Sequence, residues 1–223
     1  MHIQVPWEQS LAKGTATRIL DRFDITFNKP MQHIKVLDFG CGFGRYLQSF
    51  AEIFEKENLS GTEVNDENII QVRKMGFKCY TLNPEKAILP FDNDSFDMVF
   101  SSNVIEHIPN TLYKSYLGEI KRVLTSGGKF IVGTPNYPIK RLYDVEKAFK
   151  TKLYRYYFFD DPTHCNKLSF DILQKDLESA GFKNIELRPT LMPFAKYIRV
   201  FGSQKIKNKY KFLGDKIIGC CEA

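Results

Sequence analysis

The sequence predicts an α/β protein: a doubly wound, mostly parallel sheet with helices on both faces. Two observations carry this. Short apolar runs alternate with longer segments of helical period, the pattern of strands joined by crossover helices. A turn with glycines at alternate positions, Gly40, Gly42 and Gly44, then joins the first such run to a helix-like segment in "VLDFGCGFGRYLQ".

Taken in order, residues 1–30 form an N-terminal helical segment around "EQSLAKGTATRILDRF". Strands follow at "IKVLDF" (34–39), "LSGTEV" (59–64), "FKCYTL" (77–82), "FDMVFS" (96–101), "KFIVGT" (129–134) and "NIELRP" (184–189). Between the fourth and fifth, "TLYKSYLGEIKRVL" (111–124) spaces Leu112, Tyr116, Ile120 and Val123 three or four apart, on one helical face. Thr111 is the expected N-cap of that helix, and "SGG" at 126–128 its stop. In "SFDILQKDLESAGF", Ser169 can cap and Gly181 can terminate. The final "KIIGCCEA" can supply one more strand. Two stretches, 136–168 and 190–213, are longer than a connection requires and rich in aromatic and basic residues. Insertions after carboxyl-terminal strand ends build pocket walls in such sheets, so these are the candidate substrate cap.

Length and composition place the whole chain, 1–223, in one domain: 223 residues, 43% hydrophobic and 26% charged, suffice for a core without disulfides. No run approaches the roughly 20 apolar residues of a membrane span. The opening "MHIQVPWEQS" lacks the apolar segment of a secretory leader. Five cysteines with no C-x-x-C pair speak against zinc and a disulfide framework, and for a reducing, cytoplasmic setting. The net charge of +6 is concentrated: eight Lys or Arg and one acid, Asp215, lie between Arg188 and Lys216. A solvated basic face is the plainer reading, and attraction to an anionic substrate the sharper one. The aromatic stacking pattern of a known RNA module does not accompany it, which disfavours nucleic acid as a partner.

The glycine turn is neither G-x-G-x-x-G nor a P-loop. A pyrophosphate seated there would meet Asp38, two residues before Gly40, which argues against a dinucleotide. A ligand with its own positive centre suits the turn better. Glu63 closes the second strand, where a carboxylate can accept bonds from two ribose hydroxyls. Asn83 ends the third strand, where an amide can pair with an adenine edge. A cationic amino-acid end, a ribose and an adenine together describe S-adenosylmethionine.

With those residues in place, the chain resembles the class I S-adenosylmethionine-dependent methyltransferases, in particular the small Rossmann-like type of methyltransferase domains 11 and 12. The resemblance rests on "VLDFGCGFGRY", "GTEVNDENIIQVRKMG", "LPFDNDSFDMVFSSNVIEHIPN", "EIKRVLTSGGKFIVGTPN" and "FDILQKDLESAGF", in the family order over about 34 to 189. It implies a seven-stranded sheet in the order 3-2-1-4-5-7-6 whose last strand, "KIIGCCEA", runs antiparallel. It also implies that Asp38, Gly40, Gly42 and Gly44 surround the methionine part of the cofactor and that Glu63 binds the ribose. Asn83 stands where the family usually has an aspartate facing the adenine amino group. Ser101 to Asn103 match the segment lining the floor under the methyl donor.

Methyl transfer from a sulfonium asks the protein mainly to align donor and acceptor, and a general base helps where a hydroxyl must lose its proton. His107 and His164 are the candidates, each with a structural alternative as a hydrogen-bonding histidine. "NVIEH" is also close to the E-x-x-E-H pattern of metal-dependent relatives, among them ubiquinone-pathway and small-RNA 2′-O-methyltransferases. By that resemblance Glu106, His107 and His164 could be ligands. Asn103 replaces the first glutamate, however, and a hard cation prefers carboxylates, so no metal is assigned. The expectation is a cytoplasmic methyltransferase acting on a small or medium-sized metabolite, at oxygen rather than nitrogen. "TPNYP" and "DPTH" resemble relatives found with sugar, lipid-head-group and cell-surface polysaccharide biosynthesis. A phosphorylated or nucleotide-linked acceptor would fit the basic insertions, with Tyr137, Tyr156 and Tyr157 packing on it. The rival expectations are an RNA or protein methyltransferase docking through Arg188–Lys216, and a non-catalytic cofactor-binding subunit.

Overall fold

The computed structural model describes residues 11–137, 139–141, 144–145, 163–189 and 214–223. Its seven strands are β1 (Val36–Phe39), β2 (Leu59–Glu63), β3 (Lys78–Thr81), β4 (Phe96–Ser102), β5 (Leu124–Pro135), β6 (Lys183–Pro189) and β7 (Lys216–Glu222). They hydrogen-bond in the order β3-β2-β1-β4-β5-β7-β6, the order expected from the sequence. β1 pairs in parallel with β2 and with β4, and β2 with β3. β7 runs against β5: Ala223 bonds with Gly127 and Gly128, while Asp215, at the other end of β7, accepts from Asn136.

The helices are α1 (Thr15–Arg22), α2 (Arg45–Phe50), α3 (Asp66–Lys74), α4 (Asn110–Val123) and α5 (Phe170–Ser179). The chain divides into two compact units, one of 1–101, 118–130 and 222–223, the other of 102–117 and 131–221. In the first, β1 is buried at every position and so is β2, as strands covered on both faces must be. Phe50 packs edge-on to Phe100 at 5.2 Å between ring centroids, and Tyr46 lies 4.5 Å from the same ring. In the second unit, Ile131, Val132, Leu173, Leu177 and Ile217 are among the fully buried residues.

Local chemistry explains most boundaries. Asn65 caps α3 by accepting from the Asn68 amide, and Ser169 caps α5 by accepting from the Ile172 amide. Both helices end in the same way. The amide of Gly76 bonds to Arg73 and that of Phe77 to Val72; Gly181 and Phe182 repeat the pattern on Glu178 and Leu177, with both glycines left-handed. α4 departs from expectation at three points. It begins at Asn110 rather than being capped by Thr111, with the Pro109 carbonyl accepting from Leu112 and Tyr113. It ends at Val123, before "SGG", because the amides of Asp94 and Ser95 take the carbonyls of Arg122 and Val123. Glycines 127 and 128 instead lie within β5. Its buried face is Tyr113, Tyr116, Leu117, Ile120 and Val123, with Leu112 only half-buried. Among the described residues no helix is long and apolar enough to cross a membrane.

Candidate active site

In the first unit, the turn after β1 is held by β2. The Thr62 carbonyl accepts from both Gly40 and Cys41, at 3.0 and 2.9 Å. Glu63, nearly buried at the end of β2, accepts from the Gly42 amide with Oε2 (2.8 Å) and from the Val64 and Asn65 amides with Oε1 (2.8 and 3.0 Å). One carboxylate thereby ties the glycine turn to the start of α3. Each oxygen of a carboxylate accepts more than one bond, so Glu63 keeps capacity for ligand hydroxyls. Its position at the strand end was legible in the sequence; its clamp on Gly42 was not.

The three glycines of the turn are all left-handed, with φ of 74°, 51° and 74° for Gly40, Gly42 and Gly44. A side chain would meet different things at the last two. At Gly44 a Cβ would press on Met75 Cε at 2.9 Å and Val72 Cγ2 at 3.0 Å, so this residue serves the packing of α2 on α3. At Gly42 a Cβ would meet nothing within 4 Å: the turn is open there.

Asp38, on β1, is 1% exposed, and its Oδ2 has no hydrogen-bond partner among the described residues. Burial, with Glu63 and then Cys79 adding negative potential, pushes its carboxyl well above the usual range. A cationic group would relieve that cost, which suits the amino-acid end of the expected cofactor. Ser101, fully buried on β4, likewise has an Oγ without a partner among the described residues. Asn83 is exposed, and its amide oxygen accepts from the Glu85 amide at 2.8 Å.

In the second unit, a single turn of 3₁₀ helix, Ile105–His107, carries Glu106 and His107. Asn166 clamps it: its side-chain amide donates to the Ile105 and Ile108 carbonyls (2.9 and 2.7 Å), and its backbone amide donates to the Glu106 carbonyl (3.0 Å). The rings of His107 and His164 come to 4.7 Å between centroids. His107 Nδ1 lies 2.9 Å from Thr163 Oγ1 and 3.3 Å from the Thr163 carbonyl oxygen. The Thr163 hydroxyl can donate to Nδ1 or accept from it and the carbonyl can only accept, so either tautomer of His107 keeps a partner on Nδ1. His164 Nδ1 is hydrogen-bonded to the Tyr137 hydroxyl. Glu106 is 1% exposed, and Thr134 Oγ1 donates to its Oε2 at 3.2 Å.

Glu106, His107 and His164 each offer one ligand atom within 4.8 Å of the others. Two imidazoles and a carboxylate suit a transition-metal ion such as Zn²⁺ better than Mg²⁺. Asn103, left-handed at φ 56°, does not extend this set: its Oδ1 faces the Lys216 ammonium at 3.4 Å, a poor neighbour for a second cation. Thr134, Thr163 and Asn166 were missed as site residues, since nothing local marks them; Tyr137 was expected to pack on the acceptor, and its bond to His164 was not foreseen. Tyr156, Tyr157 and the whole of 190–213 lie outside the described residues.

A family model described as a methyltransferase domain matches residues 11–187. The uncharacterized protein MJ1123 of Methanocaldococcus jannaschii is 31% identical over 158 residues, 70% of this chain and 67% of that protein. A probable S-adenosylmethionine-dependent methyltransferase of Mycolicibacterium smegmatis is 29% identical over 148 residues, 66% of this chain and 51% of that one. The alignments thus span about half to two thirds of these relatives' own lengths. The crystal structure of a SAM-dependent methyltransferase from Archaeoglobus fulgidus superposes with a TM-score of 0.62 at 17% identity, covering 95% of each chain, a likeness of fold.

Proposed function

Because the chain belongs to the methyltransferase-domain family, whose methyl donor is S-adenosylmethionine, we propose that it methylates a hydroxyl of a small or medium-sized metabolite: a sugar, a nucleotide-linked sugar or a lipid-linked intermediate. The observation that carries the oxygen acceptor is the histidine pair. The bound donor supplies a methyl group already activated on a sulfonium. The chain supplies the fixed glycine turn, the Glu63 and Asp38 carboxylates, and a nitrogen to take the acceptor's proton. A ring nitrogen of His107 takes that role, and His164, oriented by Tyr137, stands beside it. Five cysteines without a C-x-x-C pair suit a reducing, cytoplasmic setting.

The test is an acceptor screen read by mass, in a mixture of cell-surface sugar precursors, with calorimetry of S-adenosylmethionine binding alongside. Replacing His107 or His164 by Gln should lower turnover about 10²- to 10⁴-fold with donor affinity unchanged. Turnover equal to the parent's in both variants removes the base.

A second reading of the same cluster is a metal site, favoured by the convergence of Glu106, His107 and His164. Thr163 and Tyr137 on the two Nδ1 atoms are partners of the kind that orient ligand histidines. These three side chains would hold the ion, which would lower the pKa of the acceptor hydroxyl. A thermal-shift titration with Zn²⁺, Mn²⁺ and Mg²⁺ decides it, and no response to any of them discards it. The RNA or protein docking surface rests on Arg188–Lys216, of which residues 190–213 lie outside the described part of the chain.

A further inference from the structure

The sulfurs of Cys41, in the glycine turn, and Cys79, on β3, lie 3.7 Å apart, although β2 runs between their strands. Gly61 makes this possible. It stands opposite Cys79 in the β2–β3 ladder, and a Cβ placed on it would fall 2.6 Å from Cys41 Sγ. The Cys41 sulfur therefore occupies the space a side chain at residue 61 would fill. Both thiols are buried.

We propose that Cys41 and Cys79 form a redox-sensitive pair, closed to a disulfide by a peroxide, and that closure weakens S-adenosylmethionine binding through Gly42 and Glu63. The coupling rests on the cofactor reading given above. A disulfide needs the sulfurs to approach by about 1.7 Å, to the usual S–S length. Cys41 can follow because Gly40 and Gly42 flank it, and Gly42 has open space around it. Movement of Cys41 pulls on the adjacent Gly42 amide, which is the bond held by Glu63 Oε2. The cofactor carboxylate and the thiol pair thus share one residue of backbone.

The chemistry balances without a further reagent. The Cys79 thiolate attacks a peroxide oxygen, the O–O bond breaks, and a sulfenic acid forms as hydroxide leaves and takes up the proton the thiol released, giving the first water. Cys41 sulfur, losing its proton, then attacks that sulfur, the S–O bond breaks, and the second water leaves. Two thiols lose two electrons, and the peroxide gains them. The hydrogen bond from Cys41 draws the Cys79 thiol downward, aided by the Arg73 guanidinium and opposed by burial, whereas Cys41 is pushed up. Cys79 is accordingly the nucleophile and Cys41 the resolving thiol.

The experiment treats the reduced full chain with hydrogen peroxide, blocks remaining thiols, and maps tryptic peptides. The expected product joins Val36–Arg45 to Cys79–Lys86, lighter than the sum of the two by two hydrogens. Calorimetry should show S-adenosylmethionine affinity falling about tenfold or more on oxidation and recovering with dithiothreitol. Cys79→Ala, or Cys79→Ser should the first fold poorly, should bind the cofactor like the reduced parent and ignore peroxide. Both peptides still blocked singly after peroxide, or a joined peptide with unchanged affinity, would overturn the proposal. A reduced chain that binds no S-adenosylmethionine would sink the cofactor reading and the coupling, while the peptide map alone still decides whether the pair closes.

Discussion

At the residue scale, Asp38, proposed to face the cationic end of the cofactor, is a carboxylate whose burial costs stability. Its folded-state carboxyl holds a proton more tightly than the unfolded one, mainly through burial. The sign follows: its charge costs nothing below the unfolded value, near 3.8, and the full penalty applies once pH exceeds the raised folded value. Asp38→Asn should therefore raise Tm at neutral pH, with the gain vanishing in acid. It should also weaken S-adenosylmethionine about ten- to hundredfold, as expected when a charged hydrogen-bond partner is lost; calorimetry and melting curves check both. The glycines separate in the same way. Gly44→Ala adds a clash to an unfavourable φ and should lower Tm by more than Gly42→Ala, which meets open space. Gly42→Ala should cost more cofactor affinity than its smaller stability loss explains; equal ratios for the two variants would contradict this.

At the element scale, the Glu119–Arg122 pair fastens the chain before β4 to α4. Arg122 donates to the carbonyls of Leu89 and Phe91 and to Asn93 Oδ1, while Glu119 accepts from Arg122 and from the Leu89 amide. Arg122 holds the Glu119 carboxyl below its ordinary value, so this stabilisation is complete above the unfolded pKa and is lost as pH falls through the lower folded one. Arg122→Met should cost about 1.5–3 kcal/mol, and the gap to the parent should narrow below pH ~4 in melts across pH. Elements were well read from the sequence because each strand and helix announces itself locally. α5 was read correctly from Ser169 and Gly181, whereas the end of α4 was misjudged because its terminal carbonyls bond to distant partners: the Arg122 carbonyl takes the Asp94 amide. No local rule carries that information.

At the scale of the whole molecule, strand order and direction were legible through the family resemblance, and five ordered motifs fixed them where periodicity alone leaves strand order open. The places of Asp38 on β1 and Glu63 on β2, the residues proposed for the cofactor, were legible because spacing from a glycine turn is a local quantity. The partners of the histidines were not: Thr163 stands 56 positions from His107, and Tyr137 stands 27 from His164. Binding to the folded state alone should stabilise the full chain by about 2.7 kcal/mol at a hundredfold excess of ligand over Kd. S-adenosylmethionine should therefore raise Tm by several degrees and NADH should leave it unchanged in a thermal-shift assay; the reverse order would contradict the cofactor.

The Asn166 clamp has a consequence for how the protein is made. The turn bearing Glu106 and His107 is synthesised before the residue that holds it: three carbonyls at and beside the turn wait for Asn166, 58 to 61 positions later. A nascent chain therefore carries the proposed catalytic motif before it can orient it, and the turn is fixed only once Asn166 has emerged.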